Sequence, residues 1–225
     1  MAERLKKTGA ITAGICTSGS KVKLSVLTEN LTRSAGNKFY SAVKKVRNQE
    51  KVLFAMFDRL LGVHKAGLKD ISTLCVITGP GRFTGLRVGL TLAGALKTLA
   101  GITVYSSTLF EVLAAQAAAS KEFRAWALGR EKPRLAALVH AFKNEYFCQL
   151  FEVTGHRAQD TSHKSQVTGR KSQIAIPRLK PVEAPRWLQD GELTRYLETL
   201  GKDIYVIADA EEKPDIYSLA PRELE

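Results

Sequence analysis

The spacing of apolar and polar positions predicts strands and helices in alternation. Ala10 to Ser18 and Val22 to Leu27 are short apolar runs of strand length, and Gly19-Ser20 between them is a hairpin turn signal. Asn48 to Leu61 changes to helical spacing, with Leu53, Met56, Phe57, Leu60 and Leu61 recurring, Asn48 placed to cap and Glu50 in the first turn. Gly62 and Gly67 close that segment. Thr73 to Thr78 is a continuous apolar run suited to burial on both sheet faces. Thr84 then opens a second helix to about Ala100, Thr103 to Ser106 is a strand, and Ser107 caps a third helix through Ala119.

Lys121 to Pro133 interrupts the pattern with charge, Gly129 and Pro133, which places a lobe boundary there. Leu135 to His140 and Tyr146 to Val153 form a further strand pair turned at Lys143-Asn144. Gly155 to Arg186 is polar and reads as a long exposed excursion. A helix from Trp187 to Leu200 and a strand from Ile204 to Ala208 finish the ordered part. This order is that of a mixed α/β fold with a first lobe over residues 8–122 and a reduced second lobe over 133–220.

The helix beginning at Thr84 is apolar nearly all round. Gly85, Val88, Leu92, Ala95 and Leu99 share one face, and Leu86, Leu90, Ala93 and Gly94 another, with Lys97 at its end. A surface helix needs only one apolar stripe, so two faces require two burials. One packs on the sheet. The other, joined by Phe54, Phe57 and Leu61 of the preceding helix, is expected to form an exposed apolar patch completed by another protein.

Composition alters the picture mainly through charge. The 225 residues carry 34 Lys and Arg against 22 Asp and Glu, a formal net charge of +12. Several acids crowd the C-terminal stretch, so the remainder is more basic still. Such a surplus favours an anionic partner such as RNA. No stretch approaches ~20 uninterrupted apolar residues, and the segment after the basic N-terminus is too short and polar for a secretory signal, so the expected location is the cytoplasm, with no membrane contact. Cys16, Cys75 and Cys148 lie far apart in strand-like contexts, which reads as buried reduced thiols.

Candidate chemistry concentrates in Gly79-Pro80-Gly81-Arg82-Phe83-Thr84-Gly85-Leu86-Arg87-Val88-Gly89. A buried strand, a glycine turn and a helix start have the layout of an anion or nucleotide cradle, with Gly79, Gly81, Arg82, Thr84, Gly85 and Arg87 as candidate contacts. It is neither a Walker loop nor a dinucleotide fingerprint. Arg87 stands at the positive end of the helix dipole and calls for an acceptor, either a ligand phosphate or a carboxylate such as Glu50. His64, His140, His156 and His163 show no metal-ligand spacing, and there is no nucleophile elbow, so no catalytic or metal-binding residues are assigned.

That glycine-rich stretch closely resembles the signature of the TsaB/YeaZ family, the bacterial accessory subunit of tRNA threonylcarbamoyladenosine synthesis. Arg47-Asn48-Gln49-Glu50-Lys51-Val52-Leu53 resembles the family's Arg-x-His-Ser-Glu-x-Leu helix start. Ser106-Ser107-Thr108-Leu109 resembles its Val-Ser-Ser-Leu, and His140 to Phe147 its Asp-Ala-Arg-x-Gly-Glu-Val-Tyr hairpin. The resemblance covers about Ala10 to Val153. It implies an actin/Hsp70-like fold of two RNase H-like lobes, the second degenerate. It also implies a non-catalytic dimerisation subunit, pairing through its first two helices with a larger paralogous subunit, TsaD, which holds the metal and carries out the transfer. An ATPase third subunit, TsaE-like, joins them, and tRNA is contacted indirectly. No cofactor is assigned, a nucleotide at a subunit junction is left open, and the chain alone could pair with its own copy.

Departures from the family pattern mark a divergent member. Cys16 stands where the family has a carboxylate, Arg82 replaces a serine, His140 an aspartate, Phe142 an arginine, and Asn48-Gln49 a His-Ser pair. Two alternatives stay open: a phosphoryl-transfer enzyme using the Gly79 to Gly85 loop, which lacks the metal-holding acid at Cys16, and a direct tRNA-binding module. The sequence shows no aromatics interleaved on strands for the latter.

Overall fold

Alternation in the first strand sets the layering of the N-terminal half. In β1 (Ile11–Cys16), Ile11, Ala13 and Ile15 are buried, whereas Thr12, Gly14 and Cys16 are not. β2 (Lys21–Thr28) repeats this with Val22, Leu24 and Val26. β1 and β2 pair antiparallel, so both buried rows fall on one sheet face. The computed structural model describes residues 10–28, 37–155, 178–201 and 203–220. The chain divides into two units, one up to Leu109 and one from Phe110.

In the first unit β3 (Lys38–Lys45) adds antiparallel to β2, and β4 (Ile71–Ile77) and β5 (Thr103–Ser107) add in parallel, giving the order β3-β2-β1-β4-β5. Two helices cover one face: α1 (Gln49–Gly62) and α2 (Phe83–Ala100). Each buries a single stripe. In α1 it is Leu53, Phe57, Leu60 and Leu61; in α2 it is Gly85, Gly89, Leu92, Ala93 and Leu96. Both follow the i, i+4, i+7, i+8 spacing of one helix face; one face of α2 is buried on the sheet, as expected, but it takes Gly89, Ala93 and Leu96 in place of Val88, Ala95 and Leu99.

The second unit repeats the same plan in smaller form. β6 (Arg134–His140) and β7 (Glu145–Thr154) form an antiparallel pair, β8 (Arg178–Pro181) adds to β7, and β10 (Ile204–Ala208) lies parallel to β6. The order β8-β7-β6-β10 matches β3-β2-β1-β4, without a counterpart of β5 among the described residues. β9 (Arg186–Gln189) pairs with β7 ahead of α5 (Asp190–Thr199), whose Leu193 and Leu197 are fully buried. Leu135 to Val139 are buried without a break, so β6 is covered on both faces.

Several local expectations are corrected. Asn48 stands at the N-cap of α1 but makes no side-chain cap bond. Ser107 ends β5 and α3 begins later, at Leu109–Ala119. The charged interruption at Lys121 holds a short helix, α4 (Lys121–Trp126), capped by the Ser120 hydroxyl accepting from the Phe123 N–H at 3.0 Å and anchored by buried Phe123. Residues expected to begin the last helix, Trp187 to Gln189, belong to strand β9. Residues 156–177 of the polar excursion lie outside the described residues.

The cysteines also separate. β4 is covered on the helix side along its length and on the other side only at its end, at Ile77, so Cys75 is exposed, Cys16 is half-buried with its thiol 3.2 Å from the Ser18 hydroxyl, and only Cys148 is buried. Burial, with the Glu183 carboxylate nearby, pushes the Cys148 thiol up to about 12. Iodoacetamide is therefore expected to label Cys75 in the native protein and Cys148 only after denaturation, because the thiolate is the nucleophile. Peptide mass spectrometry of briefly labelled protein checks this; native labelling of Cys148 ahead of Cys75 would contradict the burial pattern.

Candidate functional site

The glycine-rich segment joins β4 to α2 and presses against the turn after β1. Thr17 and Ser18 of that turn are buried. The Arg82 N–H donates to the Ser18 carbonyl at 2.6 Å, and the Gly79 carbonyl accepts from the Leu109 N–H at 2.6 Å. A Cβ on Gly81 would lie 2.4 Å from the Ser18 oxygen, and one on Gly85 would lie 2.0 Å from the Thr17 oxygen. Gly81 also has φ +156°, at the edge of the range that side chains rarely adopt. From the other side Gln49 Nε2 donates to the Gly19 carbonyl at 2.8 Å. The glycines thus serve a close-packed joint between two segments of the chain. Of the cradle candidates, Gly81 and Gly85 sit in this joint and Gly79 lies against Leu86, while the side chains of Arg82, Thr84 and Arg87 are exposed.

Thr84 and Arg87 face a second feature. α1 and α2 diverge enough to leave an open groove of about 460 Å³ between them. Leu53, Phe54, Val88 and Leu92 give it apolar walls, and Glu50 and Arg87 supply opposite charges. The Arg87 guanidinium stacks 5.3 Å from the centre of the Phe83 ring, itself exposed. Arg87 at a helix N-terminus is therefore compensated partly by an aromatic face beside it.

The expected partner-binding residues separate by depth. Phe54 is 52% exposed and Leu90 40% exposed; Gly94 and Lys97 are exposed and Leu86 is half-buried. Phe57, Leu61 and Ala93 are core residues instead, with Phe57 fully buried beneath α1. They are removed from the exposed face because they lie on the stripes that meet the sheet. Leu99, 85% exposed, belongs to the outer surface of α2.

Among the described residues no group of three or more His, Cys, Asp or Glu is placed to hold a metal ion. No described helix is long and apolar enough to cross a membrane.

Two units that each extend an antiparallel hairpin by a parallel strand make this an α/β protein of the actin/Hsp70-like fold, here with an open interhelical groove. The chain belongs to the family described as "TsaD: tRNA N6-adenosine threonylcarbamoyltransferase", whose model matches residues 43–183, more than half its length. Family membership connects it to tRNA threonylcarbamoyl modification. Its fold is similar to that of YeaZ from Pseudomonas aeruginosa, with 14% identity, TM-score 0.54, and coverage of 80% of this chain and 68% of that one. It is likewise similar to a Pseudomonas aeruginosa protein described as having similarity to peptidase YEAZ, with 15% identity, TM-score 0.56, and 80% and 67% coverage. No curated protein matches the sequence.

Proposed function

We propose that the chain is a non-catalytic pairing subunit in tRNA threonylcarbamoyl modification, and that the outer face of α1 and α2 docks a larger subunit of the same family. The observation that carries this reading is the open apolar groove between the two helices, walled in part by exposed Phe54, together with exposed Leu90 on another side of α2. Exposed large side chains in a contiguous apolar patch are costly in water, and burying them against a complementary surface recovers about 25 cal/mol per Å². Glu50 and Arg87 at the groove supply charges that fix orientation. Cys16 where a metal-holding acid would stand, and a loop packed onto the Ser18 carbonyl, favour pairing over independent phosphoryl transfer. An ATPase subunit and tRNA complete the assembly in this reading, with tRNA reached through the larger subunit.

The test is co-elution of the full chain with the larger family subunit by size-exclusion chromatography. Leu90→Asp is expected to weaken association by about 2 kcal/mol or more, as central interface positions do. The melting temperature should barely move, because Leu90 is already part-exposed in the chain alone. Wild-type co-elution by both Leu90→Asp and Phe54→Asp would overturn the assignment. If the chain alone forms a dimer that Leu90→Asp dissociates, the same face pairs with its own copy.

A further inference from the structure

The sheet of the first unit has a second face, opposite the helices; the residues of β1 and β2 that point to it are half-buried, and of the β4 residues on it Thr73 is half-buried and Cys75 exposed, while Ile77 at the end of the strand is buried. The strand register sets out what it displays. Across one row lie Phe39, Leu27, Thr12, Thr73 and Thr103; across the next lie Ser41, Ser25, Gly14, Cys75 and Tyr105. Its two edges carry exposed rings, Phe39 at 66% and Tyr105 at 60%, and the floor between them is small and rich in hydroxyls. A Cβ on Gly14 would come within 2.5 Å of the Ser25 hydroxyl, so the floor is flat there. From β3 to β5 the face is about 19 Å wide at ordinary strand spacing.

Charge on this sheet is of one sign. The five strands contain Lys21, Lys23, Lys38, Lys44 and Lys45 and no Asp or Glu. Lys45 pairs with Lys21 and Val43 with Lys23, which places three lysines together at one end of the open face. Lysines on an edge strand also discourage strand addition, but exposed Phe39 and Val43 on the same strand increase that hazard. Edge protection therefore accounts for the lysines and not for the aromatics. The combination has a different use: rings stack bases, lysines meet phosphates, and hydroxyls contact sugars and base edges. This β3 strand is also where the expectation of no aromatics interleaved on strands fails.

We propose that the open face of the first sheet binds a single-stranded stretch of RNA, with Phe39 and Tyr105 stacking bases and Lys45 meeting the backbone. A sheet face with aromatics at this scale seats two or three nucleotides. The inference goes beyond the pairing reading and does not depend on it, because the helices occupy the other side of the sheet.

Fluorescence anisotropy of the full chain with a short fluorescein-labelled oligouridine tests it. Saturable binding at low salt is expected, weakening as salt rises and stronger than to duplex RNA of equal length. Phe39→Ala and Tyr105→Ala should each weaken binding about fivefold or more, without a change in melting temperature. Lys45→Gln should lower the salt slope by about one. Phe54→Asp, in the interhelical groove, should bind RNA as the wild type does, so failure of the pairing reading leaves this result intact. Absence of binding at low salt, equal affinity for duplex and single strand, or a Phe39→Ala/Tyr105→Ala double variant that binds like wild type would each overturn the proposal. Selective loss of an acidic protein partner by that double variant, with RNA binding intact, would assign the face to protein instead.

Discussion

Gly85→Ala is expected to destabilise the protein by about 2 kcal/mol or more, although alanine is the better helix former by up to ~1 kcal/mol. The reason is steric. The new Cβ would sit 2.0 Å from the Thr17 carbonyl oxygen, 3.2 Å from its carbon and 2.7 Å from Gln49 Oε1. The nearest obstacle is backbone of a buried turn, which cannot rotate away as the end of a flexible side chain can. Relief requires α2 to lift from β1, and that would open the joint held by the Arg82-to-Ser18 hydrogen bond. Gly94→Ala is the matched control, since nothing lies within 4 Å of its Cβ position in the same helix. That variant is expected to gain up to about 1 kcal/mol. Urea unfolding resolves the two: the midpoint falls for Gly85→Ala and rises for Gly94→Ala at unchanged slope. A Gly85→Ala variant as stable as wild type would mean that the Thr17 turn yields easily, and the packing account of the motif would be wrong.

This contrast also separates what could be read in the chain from what could not. The strands β1, β2, β4 to β7 and β10 follow from short apolar runs between turn residues, and α1 and α2 from helical spacing. β3 does not, because seven of its eight residues are exposed and only Ala42 is part-buried. With no fully buried side chain of its own, Lys38 to Lys45 shows no period, so its pairing with β2 comes from tertiary context. The apolar run of β4 permits burial on both faces, and the second face is buried only at Ile77. Cys75 shows its limit: hydrophobic type sets what could be covered, and topology sets what is.

At the candidate site the glycine-rich segment was legible as unusual, but not for what it contacts. Glycine before a helix fits both a ligand approach and a close approach of the chain to itself. Only the position of Thr17 and Ser18 decides, and these are more than sixty residues away in sequence. Likewise, the apolar residues of α1 and α2 were visible while their division between core and surface was not. Both stripes lie within one helix turn of each other, so the direction of the sheet has to be known before Phe57 can be told from Phe54.

These two phenylalanines, three residues apart on α1, allow that division to be measured. Phe57→Ala is expected to cost about 3–5 kcal/mol, since a fully buried ring is lost from the core of the first unit and leaves a cavity. A loss of that size is a large part of the stability of a domain, so the thermal transition should fall by many degrees and expression should suffer. Phe54→Ala is expected to change stability by less than about 0.5 kcal/mol, because its ring is half in water and shapes only the groove wall. Association reverses the ranking. Where Phe57→Ala folds, its outer surface is intact and its affinity for the larger family subunit should be near wild type, whereas Phe54→Ala should lose affinity through the groove. Calorimetric melting and co-elution, run on both variants, place each ring in one of the two roles. If Phe54→Ala melts as low as Phe57→Ala, the groove is a packed part of the core and α1 presents no docking surface there. If it neither melts lower nor binds more weakly, the partner contacts another face of the molecule.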